Sequence, residues 1–318
     1  MIMLSRVARR IYWLARYMER AENLARLIEV GYRISLTPGI GGHRNEWRST
    51  LVSAASLDSY LARHGDEGEA DEQKVIEYLL FDPDNPSSVR SCIEAARNNG
   101  RGVRSALTRD MWEALNSTWV DFVALRPADL RGGRLPVVLD AVRQRAMLFR
   151  GAMLGTTLRN DGYYFSQLGA FLERADQTAR ILDVKYYILL PRSEAIGGDI
   201  DTYQWETILR SVSANRAYRH VYRDGFKPRN VVEFLILRSE MPRSLRFTYR
   251  WILESLTGLA HYYGTAAPSL SEARGTHDML EQGDLDQIFR EGLHEYLLNF
   301  IARNNALAST LAADYNFP

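Results

Sequence analysis

Two stretches of the chain set acidic and basic side chains at helical spacing in the same order: Glu19-Arg-Ala-Glu-Asn-Leu-Ala-Arg26 and Glu173-Arg-Ala-Asp-Gln-Thr-Ala-Arg180. On a helix, Glu19, Glu22, Arg26, Glu29 and Arg33 fall on one side, opposite an apolar face that includes Leu14, Tyr17, Leu24 and Ile28. Glu173, Asp176, Arg180 and Asp183 take the same places in the second stretch, and Arg20 and Arg174 sit at the boundary between the two faces. Carboxylates so placed can act as general bases or receive ammonium and amide N–H groups, while the guanidinium forks can hold carboxylate or phosphate. Exposed pairs such as Glu22–Arg26 and Asp176–Arg180 contribute only about 0.2–0.5 kcal/mol each. Any acid or base would serve there, so the repeated order points instead to a fixed polar contact in which the charges are covered and paired.

A second cluster, Arg90, Arg97, Arg101 and Arg104, projects on one stripe with only Glu94 nearby. Such a stripe needs anionic partners, either the acids at 19 and 173 or a bound carboxylate or phosphate. Other chemistries find less support. Gly39-Ile-Gly-Gly42 and Gly151-x-x-x-Gly155 are not followed by Gly-Lys-Ser/Thr and have no strand before them, which excludes phosphate loops. The histidines are read as forming no HxxxH or ExxH pair, so a metal site would have to use the carboxylates Glu19, Glu22, Glu173 and Asp176 alone. No metal and no cofactor is expected. Cys92 is the single cysteine and reads as a small core residue, which excludes a disulfide framework and fits a reducing cytoplasm.

These side chains must be carried by helices. Apolar residues recur at helical spacing almost throughout the 318 residues, without period-two runs, so the class is all-α: a multi-helix bundle of about ten helices. The spacing predicts helices over roughly 4–36, 45–64, 72–81, 87–125, 136–160, 163–190, 201–222, 229–238, 242–263 and 285–314, with Pro86 and Pro242 at first helical positions. The order of residues repeats with an offset near 155: Val75-Ile-Glu-Tyr-Leu79 matches Val231-Val-Glu-Phe-Leu235, and Pro86-Ser-Ser-Val-Arg90 matches Pro242-Arg-Ser-Leu-Arg246. One helical domain over 1–318 is expected, made of pseudo-repeats at about 1–157 and 158–318. Hydrophobic residues at 46% allow a sizeable core, and charges interrupt every apolar segment, so no membrane span is expected. A net charge of +1 gives no general attraction to nucleic acid or to an anionic membrane.

Tyr12-Trp-Leu-Ala-Arg-Tyr-Met-Glu-Arg-Ala-Glu-Asn-Leu-Ala-Arg26, Phe171-Leu-Glu-Arg-Ala-Asp176, Arg97-x-Asn-x-Arg-x-x-Arg104, Tyr203-Gln-Trp205 and Pro242-Arg-Ser244 together resemble the bacterial alpha-E family, a helical domain with a Glu-Arg motif. The resemblance covers nearly the whole chain. It implies companionship with a circularly permuted ATP-grasp protein and a transglutaminase-like protease, hence with a system that makes or trims peptide or amide bonds. The leading expectation is a non-catalytic helical subunit that docks on the ligase and helps hold a peptide-like or anionic substrate. Its polar groove would be lined by Glu19, Arg20, Glu22, Arg26, Arg97, Arg101, Arg104, Glu173, Arg174, Asp176 and Arg180. The alternatives are an enzyme using Glu19 or Glu173 as general base, and a scaffold whose charges are all internally paired.

Overall fold

The computed structural model describes residues 3–36, 43–65, 71–189 and 199–317. The Gly39–Gly42 and Gly197-Gly198 turns, and the side chains of the repeat at 186, 188 and 190, lie outside what is described. Among the described residues there are fifteen α-helices and no strand, so the bundle is all-α with more, shorter helices than the expected ten. In order these are α1 (Ser5–Ser35), α2 (His43–Ser53), α3 (Leu57–His64), α4 (Glu72–Leu80), α5 (Val89–Gly102), α6 (Arg109–Val123) and α7 (Leu135–Thr156). There follow α8 (Asp161–Leu189), α9 (Asp199–Ser211), α10 (Asn215–Val221), α11 (Pro228–Ile236), α12 (Leu245–Tyr263), α13 (Pro268–Glu281), α14 (Leu285–Glu291) and α15 (Leu293–Asp314). No helix is long and apolar enough to cross a membrane, among the described residues.

Two of the five additional helices come from turns that no glycine announces. The expected helix over 45–64 breaks where Ala55 takes φ +51°, and that over 201–222 where Ser213 takes φ +57°. Each break is a 6→1 C-terminal turn, with Ser56 N donating to Leu51 O at 2.9 Å and Ala214 N to Leu209 O at 2.7 Å. The expected helix over 87–125 divides at 103–108, where Thr108 accepts from Met111 N and starts α6. Gly292, at φ +93°, separates α14 from α15. Helix α13 was not expected from its Ser-, Gly- and Thr-rich sequence. It is held by burial of Ser269, Ala273, Thr276 and Leu280, and by Asp314, which accepts from Ser269 N at 2.8 Å. The two prolines lie ahead of their helices rather than at first helical positions. Pro86 and Pro242 occupy the second residue of β-turns closed by Ser88 N→Asn85 O and Ser244 N→Met241 O. Ser88 and Ser244 are the N-caps, accepting from Ser91 N at 3.1 Å and Phe247 N at 3.0 Å.

The two long helices have similar surroundings. Helix α1 lies against α5 and α7, with α6 behind them, and α8 lies against α12 and α15, with α13 behind. The two long helices meet each other most extensively of all, and the short helices cross over: α2 rests on α8 as well as α1, and α9 on α1 as well as α8. Beyond its first turns, helix α1 is therefore enclosed on every side. Leu14, Leu27 and Ile28 are buried on one face, and Glu19, Glu22, Arg26 and Glu29 are buried on the other.

Candidate functional site

The centre of the molecule is the line along which α1 and α8 run side by side in the same direction. Met3 N donates to Asp161 at 3.1 Å where both helices begin, and further along Gly169 meets the backbone of Tyr12. A Cβ at Gly169 would stand 2.2 Å from the Tyr12 carbonyl oxygen, so only glycine allows this approach. One turn on, the Glu-Arg pairs exchange partners. Arg20 Nε and Nη2 donate to Glu173 Oε1 and Oε2 at 2.5 and 2.8 Å. Arg174 Nε and Nη2 donate to Glu19 Oε1 and Oε2 at 2.8 and 3.0 Å. Both bonds are bidentate forks, the geometry that planar guanidinium gives and ammonium cannot. Each arginine also lies over the aromatic ring three residues before it, Arg20 over Tyr17 at 5.8 Å and Arg174 over Phe171 at 4.9 Å.

Around this reciprocal core the environment of the two carboxylates differs. Glu173 takes one more donor, Arg16 Nε at 2.8 Å, whose Nη1 donates to Tyr12 OH at 2.8 Å. Glu19 takes Arg150 Nη2 from α7 at 2.7 Å, and Arg150 reaches on to Glu22. Glu22, wholly buried, also accepts from Arg26 at 2.7 Å and from Arg243 at 2.6 Å. Arg243 Nη1 donates to Asn23 Oδ1 at 3.0 Å, and Arg26 Nη1 donates to Ser211 O and, at 3.1 Å, to Ser213 Oγ. Arg26 thereby ties α1 to the left-handed turn that ends α9.

Three carboxylates thus face six guanidiniums. Burial alone would raise the carboxyl pKa values, but the arginines outweigh it. Against burial, Arg20 and Arg16 hold the Glu173 carboxyl at about 2. Burial likewise opposes, without overcoming, the effect of Arg150 and Arg174, which hold Glu19 well below the usual carboxylate range. Glu22 is also lowered: burial is offset chiefly by Arg243 and Arg150. The cavity beside Glu19 and Arg150 measures only about 10 Å³, room for no more than one water. The arrangement can clamp helices together. It leaves no carboxylate free to accept a proton or hold a metal, and among the described residues no cluster of metal-ligating side chains forms.

The structure brings together Glu19, Arg20, Glu22, Arg26, Glu173 and Arg174. Asp176 and Arg180 stay apart as a half-buried pair on α8, at 2.7 Å, so the second stretch does not reproduce the surroundings of Glu22. The expected groove joining the arginine stripe to these acids is not formed. Arg97 donates to Asn116 Oδ1 at 2.9 Å, while Arg101 and Arg104 are exposed. Three cluster members were missing from the expected set: Arg16, Arg150 and Arg243. Arg16 carried a signal, one turn before Arg20 on the same helix. Arg243 stands where the other half of the repeat has Ser87, and Arg150 lies in α7 without a recurring motif. Contrary to the expectation of no ExxH pair, Glu291 and His294 have that spacing, but Gly292 divides them between two helices and His294 Nδ1 lies 2.7 Å from Asp183. Burial pushes the Cys92 thiol up to about 12, which keeps it protonated and inert.

No solved structure matches the chain. An uncharacterized protein of Mycobacterium bovis is 23% identical over 314 residues, which covers 93% of this chain and 35% of that protein. Two uncharacterized proteins of Mycobacterium tuberculosis match to the same extent. The chain therefore spans about a third of the length of the curated relatives it matches. The family model for Alpha-E, described as a predicted alpha-helical domain with a conserved ER motif, matches residues 3–315. With Glu19-Arg20 and Glu173-Arg174 as its two Glu-Arg pairs, the chain belongs to the Alpha-E family.

Proposed function

We propose that this chain is a non-catalytic helical subunit that docks on a circularly permuted ATP-grasp ligase in a peptide-modifying system, alongside a transglutaminase-like protease. One observation carries the reading: each Glu-Arg carboxylate is saturated by guanidiniums and held acidic. A general base working near neutrality needs a pKa raised toward the working pH, and these are shifted the other way. Binding of a peptide-like or anionic substrate then falls to arginines at the surface. The relatives agree with a partnered role, since in them a stretch like this chain is joined to about twice its own length of other sequence. The test is co-expression with the ATP-grasp protein, followed by ATP-dependent ligation assays on each component and on the complex. The chain alone should be inert, and Glu19→Gln should act only through stability. Turnover by the isolated chain that vanishes in a folded Glu19→Gln variant would overturn the proposal.

A further inference from the structure

We infer that the end of the bundle where α1 begins and α5 ends is a docking face for an acidic, amphipathic segment of a partner protein. Arg6 and Arg9, on the first turns of α1, are exposed, as are Arg101 and Arg104 at the end of α5. None of the four has a carboxylate partner among the described residues. Arg10 joins the two sets into one surface. Its guanidinium lies so close to Gly102 that a Cβ there would stand 2.1 Å from Nη1, and the negative end of the α5 dipole favours a cation at that place. Arg104 is exposed with its guanidinium over the Trp112 ring at 5.4 Å, which lessens the side-chain freedom it has left to lose on binding.

The same end carries two apolar side chains that the bundle leaves uncovered. Leu4 is 60% exposed and Leu158 77% exposed; they precede α1 and α8, whose starts are tied by the Met3–Asp161 hydrogen bond. Leucines that protrude at the same end of the bundle as exposed arginines suit a protein interface, where apolar anchors are accompanied by arginine and lysine is depleted. Charge complementarity names the occupant: carboxylates for the forks, and an apolar side chain between the leucines. A membrane is a poorer fit, because Ala8, Ile11 and Tyr12 of α1 are buried in the bundle and no apolar helix face is left to lie on lipid. A nucleic acid is poorer too, since the leucines would then be set against phosphates.

This face rests on the subunit reading only in taking the partner to be a protein. The probe is a fluorescein-labelled peptide of about twenty residues with Leu at helical spacing and flanking Glu, followed by anisotropy. Arg101→Glu/Arg104→Glu should weaken binding at least about tenfold, raised salt should weaken it in the wild type, and Leu158→Ser should weaken it about fivefold. These side chains are exposed and form no ion pair, so the variants give up only the contact of Arg104 with Trp112 and the favourable place of Arg101 at the end of α5, and thermal melts should fall by no more than about 3 °C. Equal affinity in wild type and charge-reversed protein overturns the inference. So does an absence of peptide binding, or tighter binding to phosphatidylglycerol vesicles or a single-stranded oligonucleotide. The same variants tested for co-purification with the ligase separate the two proposals. A complex that survives charge reversal removes this face and leaves the subunit reading, whereas peptide binding without any wild-type complex does the reverse.

Discussion

Replacing Glu173 by Gln keeps the volume and one acceptor but removes the charge that Arg16 and Arg20 share. The carboxyl falls from about 4.5 to about 2 in the fold, a shift that at ~1.4 kcal/mol per unit corresponds to roughly 3 kcal/mol. Arg16 would be left facing an amide with its side chain only 11% exposed, whereas Arg20, at 24%, can recover some hydration. The expected loss is therefore about 2–4 kcal/mol, overlapping the roughly 3–5 kcal/mol for breaking a buried pair and equivalent to a fall in Tm of roughly 5 °C for a chain of this size. Urea unfolding followed by circular dichroism measures it. A double-mutant cycle with Arg20→Met isolates the pair, with an expected coupling of about 1.5–3 kcal/mol. A loss below about 1 kcal/mol, or a coupling near zero, would mean that the fork is incidental to the fold and the clamp reasoning is wrong.

Acid should act through the same groups. The folded pKa values of Glu19, Glu22 and Glu173 are all depressed, so their stabilisation is present above about pH 4.5 and is lost as pH falls toward 2. Glu173→Gln should flatten that dependence, and equal acid sensitivity of variant and wild type would contradict it. Gly169→Ala should cost about 3 kcal/mol, because the added Cβ meets backbone that cannot yield without parting α1 from α8. Gly151→Ala, into open space on α7, should instead stabilise by about 0.5–1 kcal/mol, and similar melting temperatures for the two variants would count against the close approach. Ala55→Gly should raise stability by about 0.5 kcal/mol: relief of the left-handed conformation exceeds the added freedom of the unfolded chain. Unfolding of that variant at lower urea would refute the assignment of strain.

The Glu-Arg motifs were legible because they obey helical periodicity twice over, and covering both faces of α1 followed from the recurrence of one residue order. The reciprocity of the pairing was not legible. Periodicity places a side chain on a face but does not say which helix comes to meet it. Arg150 and Arg243 reach Glu22 from α7 and from the turn before α12, contacts more than 120 residues apart that leave no local pattern. Their asymmetry also explains why Asp176 differs from its counterpart Glu22: the repeat has Ser87 where the first stretch is met by Arg243. Some helix boundaries escape the sequence for a related reason. Ala55 and Ser213 hold a conformation usually taken by glycine, and at the second of these Arg26 binds the turn from outside, so tertiary contact rather than local sequence ends the helix.

Buried forks are a poor way to gain stability, since apolar residues of equal volume often serve as well or better. What they supply here is discrimination among registers. A slip of α1 against α8 by one turn, about 5.4 Å, would break the reciprocal exchange of Arg20 with Glu173 and Arg174 with Glu19 and leave buried charge unmatched. A more dangerous competitor is α1 pairing with α1 of a second copy, which would reproduce the exchange between Glu19 and Arg20. Two features of the sequence oppose it. The position that matches Gly169 in the repeated order is Ala15, whose Cβ would collide where α8 offers none. Arg16, matched by Ala170, would add a guanidinium beside each Glu19 that Arg150 and Arg243 already approach. The departures from exact duplication are therefore what make the near-duplicate halves choose each other.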